Sequence, residues 1–247
     1  MPPSDTAIKQ QPVALEVPVT VNGARAVDGS DKRELITDGA VGWPAVSPDG
    51  RSLAFVGSRG DRAGIWRSAI DGTAAQLVAA VIGAQHLMFA PDGRSLFFDA
   101  PLAGQTTTYR LPLDGGTPQA VPANINRAGV SPDGTMLAGV YRRDERSPVE
   151  LGIVSTADGK PIKTFGVVPF ASGSGTLQWD RQGDAVLYTT SERMNIWRQP
   201  LAGGAPAKVT NFSDLVISRF AVSPDGQSIA LCRGAVTRDA FIVTNFR

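Results

Sequence analysis

The chain alternates apolar and polar positions in short runs, and the runs recur at a fixed phase. Three residues after Gly50, Gly93, Gly134, Gly183 and Gly226 stand Leu53, Leu96, Leu137, Val186 and Ile229; two further on are Phe55, Phe98, Gly139, Tyr188 and Leu231. A spacing of two is that of a strand with one buried face. Before each glycine, Val46, Phe89, Val130, Trp179 and Val222 follow Pro44, Leu87, Ala128, Leu177 and Phe220 at the same spacing. These alternations predict two antiparallel strands joined through the glycine. A third strand is predicted around Trp66, Tyr109, Ile153, Trp197 and Phe241, and a short fourth around Val78, Val121, Phe165 and Val209. Each unit then reads as a four-stranded antiparallel meander.

The turn residues agree. Ser47–Gly50, Ser131–Gly134 and Ser223–Gly226 read Ser-Pro-Asp-Gly, Ala90–Gly93 reads Ala-Pro-Asp-Gly, and Asp180–Gly183 is a degenerate copy, Asp-Arg-Gln-Gly. Proline presets φ, aspartate closes an Asx-turn on its own backbone, and glycine accepts positive φ. Asp71-Gly72, Asp114-Gly115, Asp158-Gly159 and Ala202-Gly203 supply the hairpin between third and fourth strands. The first set of glycines is spaced by 43, 41, 49 and 43 residues. A period in the low forties signals a radial array of small sheets, whose faces are buried between neighbours.

The expected fold is therefore all-β, a β-propeller of four-stranded antiparallel blades. Six blades result if residues 12–38 form an irregular N-terminal blade beside the five clear repeats. Five result if Glu34–Thr37 instead completes the last repeat, which stops at a third strand, Phe241–Phe246. The β runs Val13–Val19 and Val21–Val27 favour six. The domain reading is a disordered segment over 1–11 and a single propeller over 12–247.

Composition narrows the function classes. At 247 residues the chain suits one all-β domain. A net charge of +1 gives no bulk attraction to nucleic acid or anionic membranes. A single cysteine, Cys232, excludes an intramolecular disulfide and reads as a reduced interior thiol. A single histidine, His86, excludes any site needing two. The N-terminal residues are polar, and no apolar run approaches the ~20 residues of a membrane span. The expectation is a cytoplasmic chain without membrane insertion, or an extracytoplasmic one if the start is truncated. No cofactor or metal is expected.

The Ser-Pro-Asp-Gly turn, the Leu53-Ala54-Phe55 strand after it, and the aromatic third strand leading to Asp-Gly together resemble the TolB-type β-propeller repeat over about residues 24–247. The WD-type repeat ends its third strand in Trp-Asp, whereas this chain has Trp66-Arg67 and Trp197-Arg198. The segment Arg233–Arg247 is similar to the end of propellers attached to bacterial receptor-type serine/threonine kinases and winged-helix regulators. The resemblance implies a sensory or partner-binding part rather than an enzyme. Similar propellers also accompany peptidases and polysaccharide-degrading enzymes. A catalytic reading needs clustered acid/base or metal-ligating groups, against which the lone histidine and an arginine bias speak.

Chain direction puts the Pro-Asp-Gly and Asp-Gly turns at one end of the propeller. The loops between second and third strands, and those joining repeats, lie at the other. Irregular loops on a rigid scaffold tend to carry function. Here they carry Arg59 and Arg62; Arg142, Arg143 and Arg146; Arg193; and Arg238. Guanidinium groups suit carboxylates through bidentate hydrogen bonds, so this rim is expected to dock a protein or peptide of acidic character. Solvated hairpin tips of mixed charge are the plainer alternative. A second set, Trp43, His86, Arg127, Thr176 and Arg219, begins each innermost strand. These positions approach a mouth of the central channel and could hold a small anion or a side chain. Local packing between blades is the competing reading. Gly173-Ser174-Gly175 lacks the Gly-x-Ser-x-Gly form of a nucleophile elbow.

Overall fold

The computed structural model of the chain describes residues 23–24, 33–36, 40–102, 105–166, 177–223 and 226–234. Among these residues the structure is all-β. Four sheets have four antiparallel strands each, ordered as they follow in the chain. The first is β3 (Ala40–Val46), β4 (Ser52–Arg59), β5 (Arg62–Ala69) and β6 (Gln76–Ala79); the second is β7 (Gln85–Phe89), β8 (Ser95–Leu102), β9 (Gln105–Pro112) and β10 (Gln119–Ala120). The third is β11 (Ile125–Val130), β12 (Met136–Tyr141), β13 (Glu150–Ser155) and β14 (Pro161–Thr164); the fourth is β15 (Leu177–Trp179), β16 (Ala185–Thr189), β17 (Ile196–Pro200) and β18 (Ala207–Lys208). A fifth sheet shows β19 (Val216–Val222) and β20 (Ile229–Gly234), and an N-terminal ribbon pairs β1 (Gly23–Ala24) with β2 (Arg33–Glu34). The expected strands over the rest of 12–27 and at Phe241–Phe246, and the polar segment 1–11, lie outside the described residues.

Predicted pairings are met residue for residue. Val46 faces Leu53, Phe89 faces Leu96, Val130 faces Leu137, Trp179 faces Val186 and Val222 faces Ile229. β6 contains its expected centre, Val78, whereas the other three fourth strands end just short of theirs. Even so, the amides of Val121, Phe165 and Val209 still donate to Thr108, Leu151 and Ile196 of the third strands.

One expectation is corrected: in the first four sheets both faces of the second strand are buried, not one. Leu96 and Phe98 pack with Ala54 and Ile65 of the first sheet. Phe97, on the opposite face, packs with Leu137 and Val154 of the third. Ala138 and Ile153 of the third sheet meet Trp179 and Tyr188 of the fourth. Leu187 and Ile196 of the fourth meet Ile217 and Phe220 of the fifth. The other face of the first sheet, with Leu53, Phe55 and Trp66, packs against Leu35 and Ile36 just after β2. A sheet stacked between two others has no solvent face, so strict alternation gives way to continuous apolar runs such as Leu96-Phe97-Phe98.

The turns follow one plan. In the first, Ser47 Oγ donates to Asp49 Oδ1 (2.5 Å), and the amides of Arg51 and Ser52 donate to Asp49 and Ser47 side chains. Ser131 and Asp133 repeat it in the third sheet. The turn glycines have φ near +70°, where a side chain is strained. Gly93, Gly134 and Gly183 also lie against Pro48, Pro91 and Pro132 of the preceding turn, and Gly226 lies against Arg181. Asp49, Asp92 and Asp133 are thus consumed by their own turns, as expected, while Asp225 lies outside the described residues. Cys232 departs from expectation. It is exposed on β20, which among the described residues pairs only with β19.

Two predictions follow from these contacts. Trp179 is 7% exposed and its Nε1 donates to the Gly129 carbonyl at 2.8 Å, across the third and fourth sheets. Trp179→Ala should cost roughly 3–5 kcal/mol in chemical denaturation; a loss under about 1 kcal/mol would contradict the packing. Hydrogen bonds from Ser47, Thr73, Ser131 and Lys160 hold Asp49, Asp71, Asp133 and Asp158 below the usual carboxylate range, Asp158 at about 2. A depressed carboxylate stabilises the fold above its unfolded pKa of about 4, and that stabilisation is lost as pH falls through the folded value. The melting temperature should therefore fall on acidification from about pH 4 towards 2, with a smaller drop in Asp133→Asn/Asp158→Asn. Identical profiles for parent and variant would exclude the turns as the cause.

Candidate functional site

The innermost strands of three successive blades break register at the same place. β3 slips between Gly42 and Ala45, β7 between Gln85 and Met88, and β11 between Asn126 and Gly129. The bulged residues include Trp43, His86 and Arg127, with φ of 50°, 51° and 50°. Residues with side chains rarely occupy this left-handed region, at a cost of about 1–3 kcal/mol each, unless surrounding structure enforces it. A bulge re-aims a side chain out of the alternation of the strand. Three of the four described members of the expected inner set are therefore turned by one recurring backbone device. The fourth, Arg219, follows a slip in β19 between Ile217 and Arg219 and is exposed opposite Cys232. Thr176 lies outside the described residues.

These side chains come together. The rings of Trp43 and His86 lie 4.3 Å apart between centroids, tilted by 51°. The Arg219 guanidinium carbon stands 5.1 Å from the Trp43 ring centroid, within cation–π range. Residues of the first, second and fifth sheets thus meet at their inner strands.

A residue the sequence reading passed over anchors this cluster. Asp99, in β8, is fully buried. Its Oδ2 accepts the backbone N–H of Arg127 at 2.7 Å, and its Oδ1 lies 2.7 Å from the Thr108 hydroxyl. The same hydroxyl is 3.0 Å from the Ile125 carbonyl. His86 Nδ1 is 3.1 Å from Asp99 Oδ2 but outside hydrogen-bond geometry. The carboxylate of one blade thereby holds the bulge of the next. A signal was present: counting from the turn glycines, Asp99 stands where the other repeats have Val56, Val140, Thr189 and Cys232.

Beside this anchor, a cavity of about 660 Å³ opens between the second and third blades. His86 and Arg127 line it from the inner strands, while Arg142 and Glu145 line it from the loop after β12. Its walls carry the side-chain amides of Gln85, Gln105, Asn124 and Asn126, with Val140 and Val149 as the apolar members. Cavities of this size suit small or extended ligands held by a few polar groups.

The arginine rim divides into distinct environments. Arg59 and Arg62 lie over the Trp66 ring, 5.4 and 5.8 Å from its centroid, so both cations are drawn onto the indole. Arg193 has φ of 54°; its amide donates to Thr190 and its carbonyl accepts from Ile217, joining the fourth and fifth blades. Arg142, Arg143 and Arg146 are exposed together on one loop. Asp144 orders that loop by accepting the amides of Arg146 and Ser147, and the Arg142 amide donates to the Asn124 carbonyl. The Ser147 hydrogen bond, helped by Arg143, holds Asp144 below the usual carboxylate range. Gln105 Nε2 donates to Glu145 Oε1 at 3.2 Å and ties the loop to the second blade. Arg238 lies outside the described residues.

The stacked four-stranded meanders are those of a β-propeller, and solved structures share the fold. The TolB candidate of Agrobacterium tumefaciens superposes with a TM-score of 0.64 at 20% identity, over 83% of this chain and 74% of that one. TolB from Acinetobacter baumannii gives 0.56 at 20% identity, over 70% of this chain and 43% of that one. This chain therefore spans less than half the length of the Acinetobacter protein. The gluconolactonase XC5397 from Xanthomonas campestris gives 0.54 at 19% identity, over 82% and 78%. No protein-family model matches the chain, and no curated protein matches it by sequence. The fold is a TolB-like β-propeller. No helix of the described residues is long and apolar enough to cross a membrane.

The Asp99 anchor gives a direct test. Asp99→Val restores the residue found in the neighbouring repeats but leaves the Arg127 amide without its acceptor. It should destabilise the protein by about 1–3 kcal/mol in urea titration. Parent-like stability would show that Asp99 does not hold the Arg127 bulge.

Proposed function

We propose that this propeller is a non-catalytic interaction module that binds acidic peptide segments of a partner protein on its irregular-loop end. The observation that carries the reading is the ordered loop bearing Arg142, Arg143 and Arg146, exposed beside the polar cavity that Arg142 enters. Exposed cations at the edge of a cavity draw in acidic partners and favour fast encounter. Asp144 and the Asn124 contact fix the loop before binding, so little ordering entropy remains to oppose association. Partner capture would then depend on side chains of the third blade more than on Arg59 and Arg62, whose cations lie on Trp66. The same face would serve a sensory propeller joined to a kinase or a transcriptional regulator.

The test uses fluorescence anisotropy with labelled, C-terminally amidated hexapeptide pools, one rich in Asp and Glu and one with Asn and Gln in their place. The acidic pool should bind the parent at least roughly tenfold more tightly. Arg142→Glu/Arg143→Glu should remove that preference without lowering the melting temperature. Equal binding of both pools by the parent, or unchanged binding by the folded variant, would overturn the reading.

A further inference from the structure

We propose that the cavity between the second and third blades captures the free C-terminal carboxylate of the bound peptide, with Arg127 as its receptor. The proposal rests on the interaction-module reading and specifies which end of the partner enters.

The first argument is charge. Arg127 and Arg142 line the same cavity, and among the described residues neither guanidinium has a hydrogen bond or ion pair. Arg127 is half-buried, and its backbone amide is already held by Asp99, so the residue is fixed at its root and unsatisfied at its tip. A partly buried guanidinium without a partner favours an anion, and its planar fork matches a carboxylate.

The second argument is what surrounds the charge. A side-chain carboxylate reaches its receptor on methylene groups and is best accommodated by apolar walls. A terminal carboxylate is followed at once by peptide groups, each with one donor and one acceptor. The cavity offers Gln85, Gln105, Asn124 and Asn126, whose amides both donate and accept, against only Val140 and Val149. Its walls thus match a peptide backbone better than a hydrocarbon stem. Terminal carboxylates are a recognised handle in peptide binding.

The third argument is direction. Arg127 belongs to the inner strand β11, whereas Arg142 belongs to the exposed loop after β12. A peptide entering from the rim would set its last carboxylate at Arg127 and leave an acidic side chain near Arg142.

The experiment compares two labelled hexapeptide pools of equal composition, rich in Asp and Glu, one with free C-termini and one amidated. The intact protein should bind the free-acid pool roughly tenfold or more above the amidated one. Arg127→Gln, checked for an unchanged melting temperature, should abolish the difference and retain binding of the amidated acidic pool. Equal affinity for both pools in the parent overturns the proposal, while the interaction-module reading survives if the amidated acidic pool still binds better than its neutral counterpart. Binding by neither acidic pool overturns both. If Arg127→Gln does not fold, the comparison of pools on the parent decides alone. Complete displacement of the free-acid pool by millimolar galacturonate, with no displacement by acetyl-Ala-Ala-Ala bearing a free carboxylate, would assign the cavity to sugar acids and also overturn the proposal.

Discussion

No middle blade of this protein can hide its own apolar surface. Leu96 and Phe98 require the first sheet, and Phe97 requires the third. The same dependence passes along the chain through Trp179 to Phe220. Because burial of such side chains contributes on the order of 1.5–3 kcal/mol each, a meander separated from its neighbours would lose the greater part of its core. Stability is therefore a property of seams. The ladder hydrogen bonds give each sheet its shape, but the contact between sheets decides whether it persists.

The site uses the same seams. Where other repeats place an apolar or uncharged residue, the second blade places Asp99, whose carboxylate accepts from Thr108 of its own blade and from the Arg127 amide of the next. The cost of a buried charge is offset by donors held in good geometry. In return, the backbone amide of Arg127 is held at its bulge. The region of the ring with the polar seam is also the region where the irregular loop carries its exposed arginines. Scaffold and recognition surface are thus joined through one buried carboxylate.

Much of the fold was legible in the chain, for a physical reason. Repeats in register average out local ambiguity, so the columns through Leu53 and Val46 located strands and pairings to the residue. What the columns concealed was burial on both faces, because the apolar middle residues Ala54, Phe97, Ala138 and Leu187 differ too much in size to read as one column. The site was legible only as positions. Trp43, His86 and Arg127 were found by counting, but nothing in three such different residues announces a shared left-handed backbone. Asp99 could have been found by asking where a repeat breaks its own rule. The partnership of Arg59 and Arg62 with Trp66 depends on a cross-strand geometry that spacing does not convey.

The contact between successive turns has an evolutionary reading. Four of the five repeats carry a ring at the second turn position, all five carry a bare backbone at the fourth, and the ring of one sits on the backbone of the next, as Pro48 does on Gly93 and Pro91 on Gly134. Knob and socket travel in the same stretch of gene. A tandem duplication of one repeat would therefore arrive with both halves of a working joint at this end of the molecule. The copy at Asp180–Gly183 shows how far such a joint can drift: the proline has become Arg181, and its aliphatic stem still covers Gly226.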